Sequence, residues 1–230
     1  MSLPSLSWVL VLLLSFAIVA CREAFSEQQA SSSSESSSKP QKSTVHLGKP
    51  SPDVGSVADG VYRNSAFGFS YKIPVGWVER TADMSPESQS GEPGKSLVLL
   101  AIFERPPDAA GDTVNSAVMI AAESASSNPG LKTAADYFEP LTELATSKGF
   151  KIVNEPYEYP AGTRSLVRGD FSKELGKLTM CQSSLTMLLR GYALSFTFIA
   201  GSEDEVEELI ESLSFAGTKP ASPAKSRHPQ

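Results

Sequence analysis

Residues 177–200 constrain the fold more tightly than any other stretch. Two runs rich in apolar and β-branched residues, 177–189 and 192–200, meet at Arg190-Gly191. Joined by a two-residue turn, they set Leu189 opposite Tyr192, Met187 opposite Leu194, Leu185 opposite Phe196, Ser183 opposite Phe198 and Cys181 opposite Ala200. All of these share one face, and the other face carries Gln182, Ser184, Thr186, Ala193, Ser195 and Thr197. Side chains on a strand alternate with a period of two, so a slip of one residue would mix the two sets; burial should hold this register. Arginine is not a favoured residue in a primed turn, and a three-residue loop with Gly191 as a bulge is the other solution.

Further strands are read on both sides of the hairpin. Phe67-Gly68-Phe69-Ser70-Tyr71-Lys72-Ile73 alternates and is stopped by Pro74 and Gly76. A polar loop through 85–94 leads to apolar runs at 96–104 and 116–123, and strands are expected at 151–157 and 165–173. Residues 133–148 read as a helix with Thr133 and Asp136 as its cap and Gly149 as its stop. Deep in that helix Pro140 would cost about 3 kcal/mol, so a kink is expected there, or a break with Pro140 opening the longer part. Residues 202–213 form the clearest helix: Ser202 and Glu205 make a capping box, acids fill the first turn, and Val206, Leu209, Ile210 and Leu213 form an apolar stripe. Together these elements predict an α+β fold, a mostly antiparallel sheet of about six to seven strands flanked by two main helices.

The flanks have a different character. No charge interrupts 3–20, and 8–20 is almost wholly apolar, the length of an export-signal core rather than a membrane span of roughly 20 residues. It ends in Ile18-Val19-Ala20-Cys21, which resembles the bacterial lipoprotein signal motif of an aliphatic, a variable and a small residue before cysteine. That resemblance implies cleavage after residue 20, a diacylglyceryl group on Cys21 and a location in the bacterial cell envelope, anchored by lipid and facing the periplasm or exterior. The first seven residues carry no Lys or Arg, so an ordinary secretory signal or an uncleaved anchor are the alternatives. The organisation expected is 1–20 signal, 21–60 lipidated end and disordered Ser/Pro-rich tether, 61–216 globular domain and 217–230 disordered tail.

Charge and residue types exclude several chemistries. Residues 61–216 hold 13 Lys and Arg against 21 Asp and Glu, within a chain of net charge −6. Such a domain repels phosphate backbones, so nucleic acid is not an expected partner. His46 and His228 lie in the expected tether and tail, so no rigid base is available for a serine or cysteine nucleophile. No phosphate loop, dinucleotide fingerprint or His/Cys cluster occurs, and no cofactor or metal is expected. Cys181 reads as a buried inert thiol, Trp77 as a core anchor, and Tyr157 and Tyr159 as loop aromatics, with part of a contact surface as their other reading. Glu203, Asp204, Glu205, Glu207, Glu208 and Glu211 read mainly as a solvated helix face, with cation or basic-partner binding as the other reading.

Gly68-Phe69-Ser70-Tyr71-Lys72-Ile73-Pro74-Val75-Gly76-Trp77, the helix with Tyr137, and Arg190-Gly191-Tyr192 before an aromatic strand and an acidic helix together resemble PsbP-like proteins and DcrB-type bacterial lipoproteins. The resemblance spans roughly 61–216 and implies an antiparallel sheet between helices, with members that mostly bind or support partner proteins. It supplies no catalytic motif. The expected function is therefore that of a non-catalytic envelope lipoprotein, tethered through Cys21, whose acidic domain binds a partner protein or small ligand. The alternatives are a structural envelope lipoprotein with no specific ligand and a hydrolase using carboxylates.

Overall fold

The computed structural model describes residues 53–84 and 96–215. The apolar run 3–20, Cys21, most of the expected tether, the loop 85–94 and the tail 217–230 lie outside the described residues, as do His46 and His228.

Among the described residues, two antiparallel sheets and two α-helices make up the α+β domain. The smaller sheet has the order β1 (Ser56–Ala58), β2 (Val61–Asn64), β3 (Phe69–Lys72) and β11 (Leu213–Phe215). The larger has seven strands: β4 (Val78–Glu79), β5 (Ser96–Phe103), β6 (Ala117–Ser124), β10 (Tyr192–Ala200), β9 (Leu178–Leu189), β8 (Arg164–Leu175) and β7 (Lys151–Ala161). Helix α1 is Phe138–Ser147 and α2 is Glu203–Glu211.

The central hairpin has the expected register, from Leu189↔Tyr192 to Cys181↔Ala200. Its turn is the two-residue form. Arg190 and Gly191 have φ of 54° and 80°, the left-handed pair that matches the twist of the strands. For Arg190 this conformation is costly. Its guanidinium compensates by donating to the carbonyl oxygen of Ala66, which ties the turn to the smaller sheet's β2–β3 connection.

Both faces of the hairpin are buried, because the larger sheet is covered on both sides. Leu185, Leu194, Phe196 and Phe198 pack with Tyr62, Phe69 and Tyr71 of the smaller sheet and with Val206, Leu209 and Ile210 of α2. On the other side Ala101, Met119, Phe171 and Ile199 pack beneath Phe138, Leu141 and Ala145 of α1. Gln182, Ser184, Thr186, Ser195 and Thr197 are buried on that second side. Gly169 lets α1 approach: a Cβ there would stand 2.7 Å from Cε1 of Phe138.

Pro140 breaks the helical stretch rather than kinking it. A 3-10 turn over Ala135–Tyr137 precedes α1, and Pro140 sits in the first turn of α1, where its missing N–H would have no helical partner. Asp136 accepts from the backbone N–H groups of Lys132 and Thr133, at 2.9 and 2.7 Å. At the other end Gly149 has φ 85°; its N–H reaches Thr146 O and the Phe150 N–H reaches Ala145 O, at 3.0 Å each. This pair of bonds is the Schellman closure that a glycine stop permits.

Three expectations need correction. Residues 56–58, assigned to the tether, form β1; Tyr62 Oη donates to Val54 O at 2.8 Å, and Asn64 Nδ2 to Asp53 O at 2.9 Å, fastening this segment to the domain. Leu213, assigned to the last helix, begins β11 instead, because the chain leaves α2 at Ser212 to pair with β3. Tyr159, read as a loop residue, and Tyr157, read as a loop aromatic at the end of the expected strand 151–157, both lie inside β7, which runs on to Ala161. Pro156 and Pro160 are tolerated there because β7 is an edge strand with register shifts between Ile152 and Tyr157.

Candidate functional site

Strands β7, β8 and β9 extend beyond the cover given by the smaller sheet, and α2 crosses beside them. Between them lies a cleft of about 130 Å³. Alternation decides which side chains enter it. Arg168 pairs with Leu185 and Tyr157, Asp170 with Ser183 and Asn154, so all six project to the α2 side. Glu203, Val206 and Glu207, spaced three and four apart on α2, form the opposite wall.

Arg168 is only 6% exposed and is held on three sides. Its Nε donates to Asp170 Oδ1 at 2.8 Å, while Nη2 donates to Ser183 Oγ at 3.1 Å and to a carboxylate oxygen of Glu207. Its guanidinium lies 5.3 Å from the ring centre of Tyr159 and 6.0 Å from that of Tyr157. Asp170 is saturated as well: Ser183 Oγ and Arg168 donate to Oδ1, and Asn154 Nδ2 and Tyr157 Oη donate to Oδ2 at 2.9 and 3.3 Å. A charge pair this far from water persists when each member is also hydrogen-bonded.

The electrostatics follow from those contacts. Burial pushes the Asp170 carboxyl up, but hydrogen bonds from Ser183, Arg168 and Asn154 outweigh it and leave the group below the usual carboxylate range. Burial likewise works against the Arg168 cation, and Glu207 and Asp170 more than offset it. Tyr157 is pushed up to about 12, chiefly by burial and then by the charge of Asp170. Cys181, at the edge of the cleft, is raised by burial and then by Glu203 and Glu174. At neutral pH the cleft therefore holds an ionised Asp170, a protonated Arg168, phenols and a thiol. This arrangement orients charge.

The residues singled out in the sequence divide as follows. Cys181 is half-buried at the cleft, and Glu203 and Glu207 form its wall. Glu205 instead faces the larger sheet, accepting from Ser116 Oγ and from the Gly201 N–H, while Ser202 caps α2 through the Glu205 N–H at 3.2 Å. Trp77 is half-buried against the core beneath the smaller sheet. Arg168 and Asp170 were not foreseen. Their signal was present: opposite charges two residues apart in a strand share a face, and that face also carries Leu166. Among the described residues no three His, Cys, Asp or Glu side chains gather as a metal site, and no helix is long and apolar enough to cross a membrane.

No family model matches the chain, and no curated protein does. Several solved structures align with part of it at low identity. Cyanobacterial PsbP of Synechocystis matches with a TM-score of 0.43 at 17% identity, covering 74% of this chain and 98% of that one. LpqN of Mycobacterium tuberculosis, described as involved in cell envelope biogenesis, gives 0.37 at 14%, covering 64% and 83%. The Ran-binding protein Mog1p of Saccharomyces cerevisiae gives 0.38 at 8%, covering 70% and 96%. All three scores fall below 0.5, so none of these likenesses transfers a function.

Proposed function

We propose that this chain is a non-catalytic binding protein of the bacterial envelope, held to a membrane by lipid on Cys21, whose domain engages its partner at the cleft between α2 and β7–β9. The observation that carries the binding reading is the Arg168–Asp170 network. A buried ion pair fastened by Ser183, Asn154, Tyr157 and Glu207 contributes little net stability compared with apolar packing. It does hold a fixed pattern of charge at the floor of an open cleft, which is what recognition requires. The surrounding edge supports the same reading: Val153 and Tyr157 are exposed apolar surface beside it. The anchor rests on Ile18-Val19-Ala20-Cys21 at the end of the apolar run.

A photo-crosslinking amino acid placed at Val153, which flanks the cleft without bonding its ion pair, and separately at the remote turn residue Lys177, tests the site in the native cell. A defined adduct from position 153 and none from 177 is expected; equal or absent adducts overturn the assignment. Metabolic labelling with a fatty-acid analogue should mark the wild type and not Cys21→Ala. An unlabelled wild type removes the anchor.

A further inference from the structure

We infer that the cleft receives the cationic side chain of a lysine or arginine on a partner protein, an inference that rests on the binding reading above. The lining decides the sign of the ligand. Arg168 is opposed there by three carboxylates, Asp170, Glu203 and Glu207, and its charge is already shared between Asp170 and Glu207. An anionic ligand would have to displace Glu207 from Arg168 while facing Glu203 and Asp170. A cation meets Glu203 and the outward part of Glu207, whose side chain is 49% exposed although it bonds Arg168. Two surplus negative charges beside a partly desolvated wall favour the cation.

Size and surroundings decide between a protein side chain and a free amine. About 130 Å³ accommodates one side-chain head and little more. Tyr157 at 39% exposure and Val153 at 45% flank the entrance, where the alkyl stem of lysine or arginine would lie. The long exposed edge of β7, Lys151–Ala161, continues the surface past the cleft. A free amine would fill the hole and leave that edge unused, whereas a polypeptide can use both.

The test uses the full chain in detergent and a displayed library of random peptides. Selected peptides are expected to carry lysine or arginine at one common position. Replacing that residue by norleucine, or changing Glu203 to Gln in the protein, should weaken binding about tenfold at low salt, with the loss shrinking as salt rises. Glu203 has no bond to Arg168 among the contacts above, so E203Q spares the network, and an unchanged unfolding midpoint verifies this. Enrichment of acidic peptides, or binding indifferent to E203Q, overturns the inference. If peptides still crosslink at position 153, the binding reading survives that failure; if none does, both fall. Spermidine competing as tightly as the peptide, mole for mole, overturns the choice of a protein partner. Tighter peptide binding after changing Lys219, Lys225 and Arg227 to Ala also overturns it, in favour of the chain's own tail.

Discussion

Two hairpins of the larger sheet, β9–β10 and β7–β8, are built from the same kind of strand and end in opposite circumstances. In β9–β10 most side chains are buried, with aromatic and aliphatic groups on one face and small polar groups beneath α1 on the other. In β7–β8 the outer strand is exposed along almost all its length, and the inner one buries a charge pair where its neighbours bury leucine and phenylalanine. The difference lies in what covers each hairpin. The smaller sheet and α2 close over β9–β10, whereas β7 has a strand on one side only and α2 stands back from it, leaving the cleft. Stability is concentrated where both faces are covered, and the proposed recognition site lies where the cover ends.

This contrast can be broken by experiment. The largest effect belongs to the closed hairpin: Phe198→Ala removes a fully buried ring and should cost about 3–5 kcal/mol in denaturant unfolding. A loss under about 1 kcal/mol would show that this side of the core is not where stability resides. In the open hairpin Asp170→Ala strands Arg168 and should cost about 3 kcal/mol. The double replacement Arg168→Met with Asp170→Leu should recover most of that while abolishing the cleft's binding. Recovery of stability without loss of binding would separate the network from recognition. Next in size is Gly169→Ala, whose new methyl meets Phe138; a cost of about 1–3 kcal/mol is expected from overpacking.

The smallest effect is a pH dependence. Because the Asp170 carboxyl sits below its usual range when folded, the unfolded chain binds its proton first as the solution is acidified. The stabilisation is fully present above the unfolded carboxylate value of about 3.9 and is lost as pH falls through the folded value. Asp170→Asn should therefore flatten the acid limb of a stability–pH curve below about pH 4. An unaltered limb would show that Asp170 is not held ionised by its donors.

Much of the closed region was legible in the chain itself. The register of β9–β10 followed from alternation alone, the acidic helix from Ser202 and its apolar stripe, and a disturbance of the first helix at Pro140 from the missing N–H, with kink and break both open until the 3-10 turn before α1 decided for the break. The open region was less so. The expected strand stopped at Tyr157 and left Tyr159 in a loop because Pro156 and Pro160 argue against an interior strand, and only the position of β7 at the sheet edge removes that objection. Strand β1 was missed because Ser56-Val57-Ala58 has no buried alternation; its place depends on Tyr62 and Asn64 reaching back to residues 53 and 54. Strand β11 was missed because Leu213 continues the helical stripe until β3 offers it a partner.

By itself the sequence determined the local geometry and the sign of the charge. These depend on neighbours in the chain: a period of two or 3.6, a capping side chain, a proline without its N–H, an excess of carboxylates. Only the tertiary structure decided that Arg168, Asp170, Ser183 and Glu207 meet, and that three carboxylates surround one guanidinium in a cleft. Arg168 and Glu207 are 39 residues apart, and their contact depends on where α2 crosses the sheet. No local pattern encodes that crossing, because it is set by the packing of Val206, Leu209 and Ile210 against strands drawn from both halves of the domain.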